Sequence, residues 1–271
     1  QGGFTLKIFI SADIEGTTGI ANWDEARKTE PDYKYFAEQM TREVNAACVG
    51  ANNAGASEIW IKDAHGSGRN IDPSKLPENV KLIRGWSGHP YMMVQELDET
   101  FDALMYTGYH SYGSANTNPL AHTMNSSKVD YVKLNDIYCS EFLLHSYVAA
   151  YLGVPVVFLS GDKGLCQQVK SINENIVTVA VNEGIGDSTI GIQPNMATKL
   201  ISEGVESALN GDLEKCKIEL PSSFHLEIRY NYHGNAYKNS FYPGVKQTAS
   251  KTITFDSNDY FEIMRAASFL I

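Results

Sequence analysis

An apolar run, Ile8-Phe9-Ile10-Ser11-Ala12, ends on Asp13, and Glu15 follows before Gly16 opens a turn. Two carboxylates so close repel one another unless a cation or a shared proton offsets their charge. Two histidines occupy similar places, His65 in Asp63-Ala64-His65-Gly66 and His110 in Gly108-Tyr109-His110, each directly after an apolar run. Imidazole nitrogen combined with carboxylate oxygen suits a transition metal such as zinc rather than magnesium. A carboxylate shared by two ions roughly 3.5–4 Å apart is the co-catalytic arrangement of many hydrolases. Two ions need more than four protein donors, and Glu141, opening an otherwise apolar helix, is a reasonable fifth. Each residue also has a plainer explanation. A lone His after a strand is often just a loop residue, and the helix dipole favours an acid at a helix start.

Other polar residues have lesser parts. Asp63 is expected to orient His65, because ligating imidazoles usually have a hydrogen-bonded partner behind them. Asp162, in Ser160-Gly161-Asp162, is either a supporting group or a turn former. His122 is polar within a loop, His145 lies on a helix face as a structural residue, and His89, His225 and His233 form no constellation.

The first half of the chain alternates strands and helices. Strands are expected at Lys7–Asp13, Glu58–Asp63, Val80–Arg84 and Ala103–Tyr109. Phe36, Met40, Val44, Cys48 and Ala51 recur at helical spacing and mark a helix over Pro31–Asn53. A short helix is expected near Tyr91–Leu97. Farther on come a strand at Val129–Leu134 with a turn at Asn135-Asp136, and a helix at Ser140–Leu152 stopped by Gly153. Strands at Val154–Ser160 and Thr178–Val181 and a helix at Asn195–Leu209 follow. Such alternation implies an α/β fold, a doubly wound and mostly parallel sheet. In that fold ligands bind at the carboxyl ends of the strands, so Asp13, Glu15, His65 and His110 would meet in one crevice. Beyond about residue 211 strands at Phe224–Tyr230 and Lys251–Phe255 have no long helix between them, and a last helix, Asn258–Leu270, is capped by Asn258. The expected organisation is a metal-binding catalytic unit over 4–210 and a smaller α+β subdomain over 211–271 that completes the fold.

The 271 residues, 43% hydrophobic and 20% charged, are enough for one large domain or a domain with a smaller companion. A formal charge of −10 argues against nucleic acid as a partner. No apolar run approaches membrane-spanning length, and no basic-then-apolar leader is present. Gln1-Gly2-Gly3 lacks a starting Met and reads as a remnant of processing. Four widely spaced cysteines lack any C-x-x-C pair, so free thiols and a reducing, cytoplasmic location are expected.

The motif Ser11-Ala12-Asp13-Ile14-Glu15-Gly16 resembles the Ser-x-Asp-x-Glu-Gly signature of the D-aminopeptidase family of zinc peptidases, the DppA-like peptidase family M55. The likeness continues in order through Lys62-Asp63-Ala64-His65, Thr107-Gly108-Tyr109-His110, Ala121-His122-Thr123, Ser140-Glu141 and Ser160-Gly161-Asp162, and reaches Tyr242-Pro243-Gly244. The resemblance implies two zinc ions bridged by Asp13, one completed by Glu15 and His65 and the other by His110 and Glu141. It implies His122 as the catalytic histidine, and short peptides with an N-terminal D-residue, D-Ala above all, as substrates. It also implies a ring-like homo-oligomer. Asn182 departs from the resemblance, which would place Lys there in many members, and Ser111–Leu120 is unusually polar.

Two other readings fit part of the pattern. Asp13-Ile14-Glu15-Gly16-Thr17 resembles the Asp-x-Asp-Gly-Thr motif of haloacid-dehalogenase-like magnesium phosphatases, with Gly161-Asp162 as a late acidic element. That reading leaves His65 and His110 without a role, and Cys166 stands where a second late acid is expected. A non-catalytic peptide- or metal-binding protein on the same fold is the other.

Overall fold

The computed structural model describes residues 5–271. The expectations about Gln1-Gly2-Gly3 and about a unit starting at residue 4 fall outside them. The elements in chain order are β1 (Leu6–Ala12), α1 (Tyr33–Asn53), β2 (Ala56–Asp63), β3 (Val80–Ile83), β4 (Ala103–Tyr109), β5 (Val129–Leu134), β6 (Ile137–Tyr138) and α2 (Glu141–Leu152). They continue with β7 (Val156–Asp162), α3 (Lys163–Ile172), β8 (Val177–Ile185), β9 (Ser188–Gly191), α4 (Pro194–Leu209), β10 (Phe224–Tyr230), α5 (His233–Asn239), β11 (Lys246–Ala249), β12 (Thr252–Ser257) and α6 (Tyr260–Leu270).

The main sheet has seven strands in the order β3-β2-β1-β4-β7-β8-β9, parallel except for the β8–β9 hairpin. Side chains alternate across a strand. Ile8 and Ile10 accordingly meet α1 and α4 on one face, and Phe9 joins the core containing Phe142 of α2 and Leu165 of α3 on the other. This is the expected α/β architecture, with helices on both faces.

Between β4 and β7 the chain leaves the main sheet. It makes β5 and β6, joined by a two-residue turn in which Asn135 and Asp136 both have positive φ, the hairpin geometry that right-handed strand twist favours. These two strands belong to a second, five-stranded sheet ordered β11-β12-β10-β5-β6. That sheet therefore takes strands from both sides of residue 211. The chain then re-enters through α2, which stops at Gly153 as expected, with that residue in the left-handed conformation.

Several boundaries differ from expectation. The segment at Tyr91–Leu97 holds only a 3-10 turn over Met92–Val94. The last helix is capped by Asp259, which accepts from the Phe261 amide, rather than by Asn258. Helices α3 and α5 are additional to the elements expected, although α3 carries a signal in its Asp162 cap and in Leu165, Val169 and Ile172 at helical spacing.

The strand ends are zipped together where they carry chemistry. The Asp13 amide donates to the Thr107 carbonyl (2.9 Å) and the Gly16 amide to the Gly108 carbonyl (2.8 Å), tying β1 to β4. The Ala64 amide donates to the Ala12 carbonyl (2.8 Å), tying β2 to β1. Two glycines permit the close approach. A Cβ on Gly16 would lie 1.8 Å from the Tyr109 carbonyl oxygen. Gly108, at φ +66°, would place a Cβ 2.1 Å from the Asp13 carbonyl oxygen.

Candidate metal centre

Asp13, Glu15, His65, His110, His122 and Glu141 converge at the carboxyl edge of the main sheet, around a cavity of about 250 Å³. The three carboxylates are each only 2% exposed. Two clusters are visible, Asp13–Glu15–His65 and His110–His122–Glu141, each with its donor atoms within 4.8 Å of one another. Asp13 joins them: its Oδ1 is 3.3 Å from His65 Nδ1 and its Oδ2 is 3.4 Å from His110 Nε2. Glu15 Oε1 lies 3.1 Å from His65 Nδ1, and Glu141 Oε2 lies 3.1 Å from His110 Nε2.

Different elements supply these groups. Asp13 and Glu15 follow β1, His65 follows β2 and His110 follows β4. Glu141 is the first residue of α2, where Ser140 caps the helix by accepting from the Leu143 amide (3.1 Å). Its carboxylate also accepts from the Met124 amide (2.8 Å), so helix dipole and hydrogen bonding both favour its charge.

Each imidazole is oriented by a backbone carbonyl, which can only accept. His65 Nε2–H donates to Ala26 (2.6 Å), His110 Nδ1–H to Ser111 (3.0 Å) and His122 Nδ1–H to Leu120 (2.8 Å). In every case the opposite ring nitrogen faces the carboxylates. His122 stacks on His110, with ring centroids 4.2 Å apart, and also meets Trp23 in an edge contact at 5.1 Å.

The electrostatics follow from crowding. Burial and the neighbouring Glu15 charge push the Asp13 carboxyl up to about 7. Burial also works to raise Glu15, but the His65 charge outweighs it and holds Glu15 well below the usual range. Glu141 is likewise drawn down against burial by His110 and His122. His65 and His110 hold protons well above the usual imidazole range, because Glu15 and Glu141 outweigh burial. His122 shifts the other way, its proton disfavoured by burial and by the His110 charge. The arrangement thus gathers positive charge between its carboxylates. Glu15 Oε2, buried without a hydrogen-bond partner among the described residues, points to a further electropositive occupant. The nitrogen and oxygen donors fit zinc.

The supporting residues hold some surprises. Asp63 does not touch the His65 ring. It accepts from the amides of Asn70 (2.6 Å) and Ile71 (2.8 Å) and so fixes the loop that carries His65. Asp162 both caps α3 through the Leu165 amide and holds Ser111 and Asn118, anchoring the polar Ser111–Leu120 segment. Its carboxylate is spent on these donors, which weakens the phosphatase reading. Asn182 accepts from the Gly19 amide (2.7 Å) and donates to the Thr17 carbonyl (2.6 Å), pinning the turn after the Asp13–Gly16 motif. His145 is structural, as expected: it donates to the Glu141 carbonyl and accepts from the Met93 amide.

Trp23 and Trp86 line the cavity without having been anticipated. Their only advance signal is a large aromatic in a polar loop. Lys62, fully buried, holds the Trp86 wall: its ammonium donates to the carbonyls of Asp63 (2.7 Å) and Gly85 (2.6 Å) and lies 3.8 Å from the Trp86 ring centre. Lys62→Met leaves both carbonyls without that donor. The expected cost is about 1–3 kcal/mol of stability, together with a higher KM and a smaller change in kcat, read by thermal melts and steady-state kinetics.

Known proteins share this construction. The sequence matches the peptidase family M55 model, described as D-aminopeptidase, over residues 6–269. It is 28% identical over 263 residues to a D-aminopeptidase of Bacillus subtilis (strain 168), covering 96% of this chain and 95% of that one. The fold superposes with a TM-score of 0.90 on the structure described as "Zn-dependent D-aminopeptidase DppA from Bacillus subtilis, a self-compartmentalizing protease". That likeness covers 98% of this chain and 96% of the other at 28% identity. With the family match spanning nearly its whole length, the chain belongs to the D-aminopeptidase family.

Proposed function

We propose that this protein is a two-zinc aminopeptidase that removes an N-terminal D-amino acid, D-Ala or a residue of similar size, from short peptides. The observation that carries the reading is the split of Asp13, whose two oxygens face different histidines in two adjoining donor clusters. Asp13 would be shared between the ions, with Glu15 and His65 holding one, and His110 and Glu141 the other. Bound there, zinc supplies Lewis acidity and a water activated near neutral pH.

The chain's own groups do the rest. With the ions held, the three carboxylates no longer make the cavity negative, so a free N-terminus would be favoured as a neutral amine able to donate to an ion, not as an ammonium. His122 keeps its Nδ1 proton on the Leu120 carbonyl, so Nε2 presents a lone pair to the cavity. That nitrogen is suited to carry a proton to the leaving amine, or when protonated to steady the charge that develops on the carbonyl oxygen. Trp23 keeps the ring in place. Met93, Trp86 and Met124 form apolar wall against which a small side chain would pack.

The oligomer and the compartment belong to the same proposal. Tyr237, Phe241 and Phe269 are more than 60% exposed, apolar surface that a ring-like homo-oligomer would cover. The four cysteines are free and buried, which supports a reducing, cytoplasmic setting. No helix among the described residues is long and apolar enough to cross a membrane.

The test is release of alanine from D-Ala-D-Ala and L-Ala-L-Ala by the purified protein, before and after chelation and after zinc is restored. The expected result is cleavage of the D-peptide that chelation abolishes and zinc restores. Activity indifferent to chelation, or magnesium-dependent hydrolysis of p-nitrophenyl phosphate in its place, would end this reading. Absence of any zinc-restored cleavage would favour a binding protein.

A further inference from the structure

A second cavity, also about 250 Å³, lies beside the metal centre and shares Trp23, His65, Gly66 and Ser126 with it. The two linings differ in their ionisable residues. The metal cavity is lined by Asp13, Glu15 and Glu141 and by no Lys or Arg. Its neighbour is lined by Arg27 and Lys28 and by no Asp or Glu. In a chain of formal charge −10, two adjacent cations on one wall are a local exception.

Neither cation is neutralised. No salt bridge among the described residues involves Arg27 or Lys28. The Arg27 guanidinium sits 5.7 Å from the centre of the Trp23 ring, and among the described residues the Lys28 ammonium reaches only the Arg69 carbonyl (3.2 Å). The Ser67 hydroxyl, on the same wall, is buried and has no hydrogen-bond partner among the described residues. Two free cations and an unused hydroxyl make a receptor for a small anion. Trp23 ties it to the reacting end, with His122 against one part of its ring and Arg27 against another.

We infer that this second cavity binds the C-terminal carboxylate of a short peptide whose first residue occupies the metal cavity. The inference rests on the aminopeptidase reading and deepens it. A peptide advances about 3.5 Å per residue, so the terminus of a di- or tripeptide falls within a neighbouring cavity. In a longer chain the same position is occupied by a neutral amide. A metal centre that would take the amine and first carbonyl at one end, and two unpaired cations for the carboxylate at the other, match a short peptide laid along the cleft and select short substrates.

The test measures binding and cleavage separately. The probe is the D-Ala-D-Ala isostere with its amide replaced by a methylene-amine, as free acid and as C-terminal carboxamide, titrated calorimetrically into the zinc-loaded protein. The acid is expected to bind about tenfold more tightly than the carboxamide, the scale of one or two partly exposed ion pairs. In the Arg27→Ala/Lys28→Ala variant the acid is expected to fall to the level of the carboxamide. Equal binding of the two probes by the parent, or an acid preference that survives the double substitution, overturns the inference. If the parent prefers the acid yet does not cleave D-Ala-D-Ala, the aminopeptidase reading fails while the carboxylate site stands.

Discussion

Asp13→Asn is expected to strip the site of metal and yet, in the metal-free protein, to raise the melting temperature at pH 8. The first effect follows from position. Among the described residues Asp13 alone pairs with both His65 and His110, so its loss weakens both donor clusters at once. Zinc per chain should fall below the content left by His65→Ala or His110→Ala. Turnover should drop by about three orders of magnitude, the scale seen when an electrostatic element is removed from a reacting centre.

The second effect follows from burial. Burial and the charge of Glu15 raise the folded carboxyl to about 7 against an ordinary value of 3.8. A carboxyl with a raised folded pKa contributes stability in full below the unfolded value and loses it as pH rises through the folded one. At pH 8 the metal-free native state therefore carries the whole cost of ionising Asp13, and Asn removes that cost. Asn also keeps an oxygen for the Ile14 amide, which Asp13 now accepts at 2.8 Å. With zinc present the order should invert, because only the parent gains from ligand binding. Metal analysis and thermal melts with and without chelator check both effects. Retention of a full zinc complement by Asp13→Asn would remove Asp13 as the bridge.

His122→Ala is expected to keep its metal and lose turnover by about 10²–10⁴-fold, the usual contribution of a positioned proton carrier. The geometry makes this a demanding test. His122 Nε2 is only 3.3 Å from Glu141 Oε1, and the ring belongs to the same donor cluster as His110. A ligand and a proton carrier could both stand there. The resemblance favours the carrier, and so does the displacement from Glu15, 4.0 Å away. Zinc content separates the two: loss of an equivalent of metal in His122→Ala would make His122 a ligand. A change in the pH profile of kcat with metal retained would mark the carrier.

Much of this centre was legible in the sequence because the main sheet is built from local signals. An apolar run followed by an acid or a histidine marks a strand end, and parallel strands bring such ends to one edge. Asp13, Glu15, His65 and His110 needed no more than that. Glu141 and His122 were different: in residue types alone each had an equally good ordinary explanation, and the roles proposed for them lean on the family resemblance. The second sheet was illegible as a sheet. β5 and β10 were each recognisable as strands, but their pairing, Leu134 with Leu226, spans some ninety residues, and periodicity carries no information about such partners. Asp63 was misjudged for a related reason. It lies near His65 in sequence, but its oxygens are taken by amides seven and eight residues on. Arg27 and Lys28 gave no signal, since two basic residues in a loop look like ordinary solvated surface until a cavity is found beside them.

The excursion between β4 and β7 has a kinetic consequence. Asp13, Glu15 and His65 stand on neighbouring strands of one sheet, whereas His122 and Glu141 are carried by a segment whose strands pair with the C-terminal part of the chain. Long-range pairing of that kind forms late and can open independently of the rest. If the proposed two-ion site holds, its halves should then differ in lifetime, the His110–Glu141 side exchanging its occupant with bulk solution faster than the His65 side.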